Sequence, residues 1–186
     1  MEIFSSEGLH FLLRWFHFLA AILWIGILYY FNFVQVPYFS TELGGQARPL
    51  MVRGMLPSAL WYFRWGAMIT FLTGWTMILM RFATAEPGTH GVLMTSPYMT
   101  LILTGGLLGT LMWFNVWFVI WPNQRRVIAN ADNVAAGKPA DPTAAPAGAR
   151  AGLASRTNTL FSIPMLLFMG AASHFQGLAS NLALGA

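Results

Sequence analysis

The sequence predicts an all-α membrane protein built as a four-helix up-and-down bundle, and its composition and apolar runs indicate this fold. Hydrophobic residues make up 56% of the 186 residues and charged residues only 9%, a far more apolar balance than that of an average soluble domain. A membrane-spanning helix needs about 20 mostly apolar residues, and four segments meet this requirement. We place these helices at about residues 9–37, 57–81, 97–121 and 158–178 of a single domain.

The basic residues are distributed unevenly over the segments that connect the predicted helices. Two arginines follow the first helix and five basic residues separate the third from the fourth, whereas the opposite side has only Arg14 and Arg81. Because lysine and arginine concentrate in cytoplasmic loops, this asymmetry predicts periplasmic termini and a multi-pass protein of the bacterial inner membrane. The basic residues do not form the clustered patch that nucleic-acid binding needs, so we expect no nucleic-acid partner.

The segment between the third and fourth predicted helices has a distinct composition. Residues 135–154 are mostly alanine, glycine, proline and aspartate, with almost no large apolar side chain. Such a composition cannot build a core. We therefore predict a flexible cytoplasmic linker over about residues 129–155 and assign it no chemistry.

Two of the four histidines, His17 and His174, fall inside the first and fourth predicted helices. An ionisable side chain at membrane depth is costly, so by default it indicates a function. With a rise of about 1.5 Å per residue, both lie roughly 6 to 13 Å below the outer ends of their helices and can face each other at one level. This arrangement predicts the two axial ligands of one haem b. Since the chain has no cysteine, the haem would be held noncovalently.

Glycines lie at the depth of these histidines in the other two helices. Gly74, Gly105 and Gly109 are about two to three turns below the outer helix ends, and Gly170 is one turn from His174 in the fourth helix. We therefore predict that these glycines leave room for the haem. The alternative is that Gly105 and Gly109 form a small-xxx-small helix-packing motif.

Two arginines are predicted on the same side of the membrane as the histidine pair. Arg14 is about one turn outward of His17, and Arg81 ends the second helix. Either could neutralise haem propionates, so both are candidate cofactor-binding residues. The alternative is that both arginines are anchors whose charges snorkel to the headgroups. For His17 and His174, the alternative to a ligand role is a hydrogen bond to a neighbouring helix.

The other histidines and the acidic residues give weaker signals. His10 and His90 are predicted at the outer interface, where they could be plain surface residues or could join His17 and His174 in a copper or zinc site, since imidazole suits both metals. All six acidic residues lie in tails or loops. We therefore predict no carboxylate pair, no catalytic triad and no catalytic residue.

Four short motifs, taken in order, resemble one bacterial family. They are Arg14-Trp15-Phe16-His17, Trp61-Tyr62-Phe63-Arg64-Trp65-Gly66, Pro122-Asn123-Gln124-Arg125-Arg126 and Ser173-His174-Phe175. The chain resembles the N-terminal membrane domain of bacterial cytochrome-c-linked urate oxidases, as a short member of that family. The resemblance implies electron flow from the membrane domain to cytochrome c, and it carries over the histidines of the first and fourth helices, His17 and His174.

From these observations we expect a cytochrome b-type subunit that transfers electrons within a larger respiratory or oxidase complex. Its partners would be the lipid bilayer, other membrane subunits, and a periplasmic cytochrome c or another periplasmic redox protein. Two alternatives stay open. One is a membrane enzyme that oxidises urate and passes the electrons to cytochrome c, and the other is a non-redox accessory subunit.

Overall fold

The structure is a computed structural model that describes residues 4–175 and 177. Within these residues the chain is all-helical, with no β-strand, as the sequence predicts. The α-helices are α1 Ser6–Tyr29, α2 Val36–Phe39, α3 Glu42–Gly54, α4 Leu56–Ala83, α5 His90–Met94, α6 Pro97–Phe114, α7 Trp121–Ala135 and α8 Ala144–His174. Two π-helical segments make the chain continuous between α-helices: Tyr30–Gln35 joins α1 to α2, and Asn115–Ile120 joins α6 to α7.

Three helical stretches are long and apolar enough to cross a membrane. They are Ser6–Phe39 with 34 residues, Leu56–Ala83 with 28 and Pro97–Ala135 with 39. Each exceeds the 20 or so residues that a bilayer requires, as expected for a membrane protein. The fourth predicted span falls on the second half of α8, and its end near residue 178 lies outside the described residues.

Side-chain caps explain where several helices begin. The Ser5 hydroxyl accepts a hydrogen bond from the Gly8 amide at the start of α1. The Ser96 hydroxyl does the same for the Met99 amide at the start of α6, and Pro97 follows it at the first helical position. Such caps satisfy amides that have no partner within the helix.

The bundle consists of two closely packed helix pairs, α1 with α4 and α6 with α8. In the first pair, a methyl group at Gly66 would lie 3.2 Å from the Ala20 carbonyl oxygen. In the second, a methyl group at Gly105 would lie 3.3 Å from the Met165 carbonyl oxygen. Small residues at helix crossings let backbones approach closely, so each pair is held at short range by a glycine.

The prediction of a linker without regular structure over residues 129–155 is wrong for most of that segment. Helix α7 continues to Ala135, and α8 already begins at Ala144. Alanine has the highest helix propensity of all residues, and every third or fourth residue of this part of α8 is buried. The buried alanines are Ala144, Ala147, Ala151 and Ala154. A helix with a small-residue face can pack against α7 without large apolar side chains.

Helix α3 lies between the first and second predicted helices, in a segment for which no helix was predicted. The Thr41 hydroxyl caps it by accepting from the Gly44 amide, and Val52 is buried. An ion pair of 3.0 Å between Arg53 and Asp132 joins α3 to α7. These contacts hold a helix in spite of Gly45 and of Pro49 in its interior.

Candidate functional site

A cavity of about 420 Å³ lies between the two helix pairs, in the half that contains the start of α1 and the end of α8. We call this the histidine half of the bundle. Its volume is within the range of pockets that bind small molecules and cofactors. All four long helices contribute to its wall. The residues that line it include His10, Arg14, His17, Gly74, Arg81, Tyr98, Gly109, Met169 and His174.

The imidazole of His17 is oriented by a threonine on the neighbouring helix. His17 Nδ1 lies 3.1 Å from Thr73 Oγ1. The Thr73 hydroxyl donates its proton to the Ile69 carbonyl oxygen at 2.6 Å, so toward the imidazole it acts as an acceptor. We therefore assign the imidazole proton to Nδ1. The lone pair then lies on Nε2, which is the state that metal-ligating histidines adopt when their other nitrogen is hydrogen-bonded.

Gly74 makes this position of His17 sterically accessible. A methyl group at Gly74 would lie 3.0 Å from His17 Cε1 and 3.4 Å from Nδ1. Any larger side chain would push the ring away from α4 and from Thr73. Gly74 also lines the cavity, as the sequence predicts, but its clearest role in the structure is to make room for the histidine.

His174 reaches the cavity from the opposite helix pair. It is the last residue of α8, is exposed, and lines the same cavity as His17. The two histidines that were predicted to lie at one depth therefore line one cavity.

Two cationic side chains border the cavity. Arg14 and Arg81 both line it and are exposed. The guanidinium carbon of Arg81 lies 4.4 Å from the centroid of the Tyr98 ring. Neither arginine has a carboxylate within 4.0 Å among the residues that the structure describes. Both charges are therefore free to interact with an anionic group in the cavity.

The glycines predicted to make room for a cofactor separate into two groups. Gly109 lines the cavity together with Gly74. Gly105 faces α8 instead, where it packs against Met165 and Met169. Gly170 is exposed and is not part of the cavity wall. Gly105 therefore has the packing role of the alternative.

The copper or zinc site made by all four histidines is not supported. His90 begins α5, is exposed, and has its ring centroid 6.5 Å from that of Phe82 rather than in the cavity. Within residues 4–175 and 177, no group of three or more potential metal-ligating side chains lies close enough to hold an ion. The loop between α4 and α6 keeps His90 away from the other histidines.

Sequence reasoning missed residues that the structure places at the site. Thr73 directly precedes Gly74, so its depth matched that of His17 and was a usable signal. Met165 and Met169 also line the cavity, and their flexible apolar side chains fill irregular spaces. Trp75 donates a hydrogen bond of 3.0 Å to Thr110 across the wall between α4 and α6.

These features define a class of protein: an all-helical membrane protein with a histidine-lined cavity between two helix pairs. Residues 90–183 match the family described as urate oxidase N-terminal. The match covers just over half of the chain, so the chain belongs to the urate oxidase N-terminal family, and the resemblance seen in the sequence is confirmed. The matched residues include His174 and exclude α1 with His17. No curated protein and no solved structure matches the chain.

Proposed function

We propose that the chain is a haem b-binding electron-transfer subunit, in which His17 and His174 would hold the iron of one haem. One observation carries the proposal. The imidazole of His17, which contacts the Thr73 hydroxyl through Nδ1, lines a cavity that His174 also lines. A membrane histidine that only stabilised the helix pair would need no such cavity beside it.

The residues around the cavity include the apolar and the cationic side chains that a haem would need. The cavity lies between helix pairs, where haem sites of helical bundles are formed. Methionines and aromatic rings supply apolar walls, and Gly74 and Gly109 add no side-chain volume to them. Arg14 and Arg81 would offset the two propionate charges. When bound, the haem supplies a one-electron redox couple, while the protein holds and orients it.

The proposed topology places this site close to a soluble electron carrier. The histidine half lies at the start of α1, the end of α4 and the end of α8, whereas Arg48, Arg53 and Arg125 lie at the other end of the bundle. Basic residues favour the cytoplasmic side. This supports four spans in the bacterial inner membrane, periplasmic termini, and electron exchange with a periplasmic cytochrome c in a larger respiratory or oxidase complex.

The haem content of the purified chain tests this function. Pyridine haemochrome analysis should find one haem b per chain, which His17→Ala and His174→Ala both remove. His90→Ala is the matched control, since His90 is exposed and outside the cavity. A purified chain with no haem, or a spectrum unchanged by His17→Ala, would contradict the proposal and favour the non-redox accessory subunit.

The family match favours a second candidate, a membrane enzyme that oxidises urate and passes the electrons to cytochrome c. Under this hypothesis Arg14 and Arg81 would bind the substrate anion in the same cavity. Urate-dependent reduction of added cytochrome c, by membranes that contain the chain, is the measurement. A rate that falls in Arg81→Gln membranes but not in Arg156→Gln membranes would favour the enzyme, and no urate dependence would reject it.

A further inference from the structure

A second cationic cluster lies in the other half of the bundle, around the indole of Trp121. The guanidinium carbon of Arg64 lies 3.7 Å from the centroid of that ring, and the guanidinium carbon of Arg125 lies 5.8 Å from it. Two positive side chains from different helices thus approach one aromatic ring. Neither has a carboxylate within 4.0 Å in the part of the chain that the structure describes.

The guanidinium of Arg64 is held in position by indole rings. A second indole, that of Trp117, has its centroid 5.5 Å from the guanidinium carbon. The Nε atom of Arg64 is buried without a hydrogen-bond partner among the described residues. Cation–π contacts attract the guanidinium, but they do not neutralise its charge. Two like charges beside one ring repel each other, and an anion between them would reverse the sign of the interaction.

The position of Arg64 along α4 places the cluster at the level of lipid headgroups. Arg64 and Arg81 are separated by 17 residues, or about 26 Å of helix, and the hydrocarbon core is about 30 Å thick. Arg64 and Arg81 therefore lie near opposite surfaces of the membrane. Trp61 and Tyr62, beside Arg64, are 49% and 52% exposed, as expected for aromatic residues at the headgroup level.

We propose that Arg64 and Arg125, which both approach the Trp121 ring, bind the phosphate of an anionic phospholipid headgroup. The guanidinium groups would donate charge-assisted hydrogen bonds to the phosphate oxygens, and the exposed rings of Trp61 and Tyr62 would lie along the lipid. The site is separate from the histidine cavity and does not depend on the proposed electron-transfer function. An arginine that only snorkels has no specific ligand, whereas this site would bind one class of ligand, the anionic phospholipids.

Lipid titration followed by native mass spectrometry tests the proposal. The delipidated protein in detergent is titrated with phosphatidylglycerol and, separately, with zwitterionic phosphatidylcholine. Phosphatidylglycerol should bind more tightly, and Arg64→Gln and Arg125→Gln should each weaken it by about fivefold, which corresponds to about 1 kcal/mol per basic residue near a membrane surface. Since Arg125 is exposed, Arg125→Gln tests the site even if Arg64→Gln does not fold.

Arg150→Gln is the matched control, because Arg150 is exposed on α8 and makes no cation–π contact within residues 4–175 and 177. It should bind phosphatidylglycerol like the unmodified protein. Equal affinity for the two lipids, or an equal loss in Arg150→Gln and Arg125→Gln, would overturn the proposal and leave Arg64 and Arg125 as nonspecific anchors.

Discussion

The two halves of the bundle join their helix pairs in different ways. In one half, which we call the asparagine half, Tyr29 and Ser162 hydrogen-bond at 2.8 Å, and Asn32 donates to Ser155 at 2.8 Å. Both bonds connect the first helix pair directly to α8. In the histidine half the cavity separates α1 from α8. The first helix pair therefore contacts α8 directly in the asparagine half, whereas a cavity lies between α1 and α8 in the histidine half.

Polar groups differ between the halves in the same way. Buried Asn158 donates to the Met112 carbonyl oxygen at 2.9 Å and accepts from Asn115 at 2.8 Å. These groups satisfy each other, and interhelical hydrogen bonds of this kind stabilise membrane proteins. In the histidine half, Arg14 and Arg81 lack carboxylate partners among the described residues. The comparison teaches that the buried amides of the asparagine half bind each other, while the two arginines of the histidine half border the cavity, where a ligand could reach them.

Filling the space beside His17 should have the largest effect on the histidine half. In Gly74→Leu the new side chain occupies the position of the imidazole, whose Cε1 would lie 3.0 Å from an added methyl group. We expect haem binding to be abolished in a protein that still folds. Haem absorbance per chain after purification measures this. Gly170→Leu, at an exposed glycine outside the cavity, is the control and should keep its haem.

Removing the acceptor of His17 should weaken the site without filling it. Thr73→Val keeps the shape of the side chain but removes the oxygen 3.1 Å from Nδ1. Loss of such a supporting hydrogen bond costs about 10- to 100-fold in metal affinity, and haem titration of the apoprotein would measure it. Thr76→Val, at an exposed threonine of the same helix, should bind haem normally. An unchanged affinity in Thr73→Val would show that Thr73 does not position the imidazole.

In the asparagine half, Asn158→Ala should reduce stability rather than haem affinity. It removes two hydrogen bonds at a fully buried position. Interhelical hydrogen bonds are worth about 0.6 to 2 kcal/mol each, so the loss of two should lower the free energy of unfolding by about 1 to 4 kcal/mol. Unfolding in mixed micelles is the measurement.

Asn133→Ala is the matched control for this variant. Asn133 lies near the end of α7, is only half-buried, and its side chain makes no hydrogen bond within the part of the chain that the structure describes. It should unfold like the unmodified protein. If haem affinity fell more than stability did in Asn158→Ala, the two halves would not be separable.

Ser155→Ala should have the smallest effect, since it removes only the bond from Asn32, at 2.8 Å. Asn32 also donates to the Leu28 carbonyl oxygen, so it keeps one partner. A loss of about 0.6 kcal/mol is expected. A loss as large as that of Asn158→Ala in the same unfolding assay would mean that the contact between α1 and α8 contributes more than this description allows.

The sequence predicted three of the long apolar helices and missed α3 and the first half of α8. Long apolar runs locate spans directly, and the observed α4, Leu56–Ala83, differs from its prediction by one or two residues at either end. Hydropathy carries no such signal for α3 or for the first half of α8. Those helices depend on a cap at Thr41, on small buried alanines and on the Arg53–Asp132 ion pair, all of which require tertiary contacts.

Depth along a helix was predictable, but rotation about its axis was not. Counting residues brought His17, His174 and Gly74 to one level, and the structure places all three around one cavity. The same count included Gly105 and Gly170, which face other directions. The role of the two histidines as ligands stays a prediction, because side-chain direction establishes only that they share a cavity.

Electron paramagnetic resonance of the oxidised holoprotein tests the central claim most directly, because it reports the axial ligands of the iron. We predict a low-spin ferric signal from two imidazoles in the unmodified chain. In His174→Ala any retained haem should become high-spin, and added imidazole should restore the low-spin signal. A high-spin signal in the unmodified chain, or a low-spin signal that survives His174→Ala, would contradict ligation of one haem by His17 and His174.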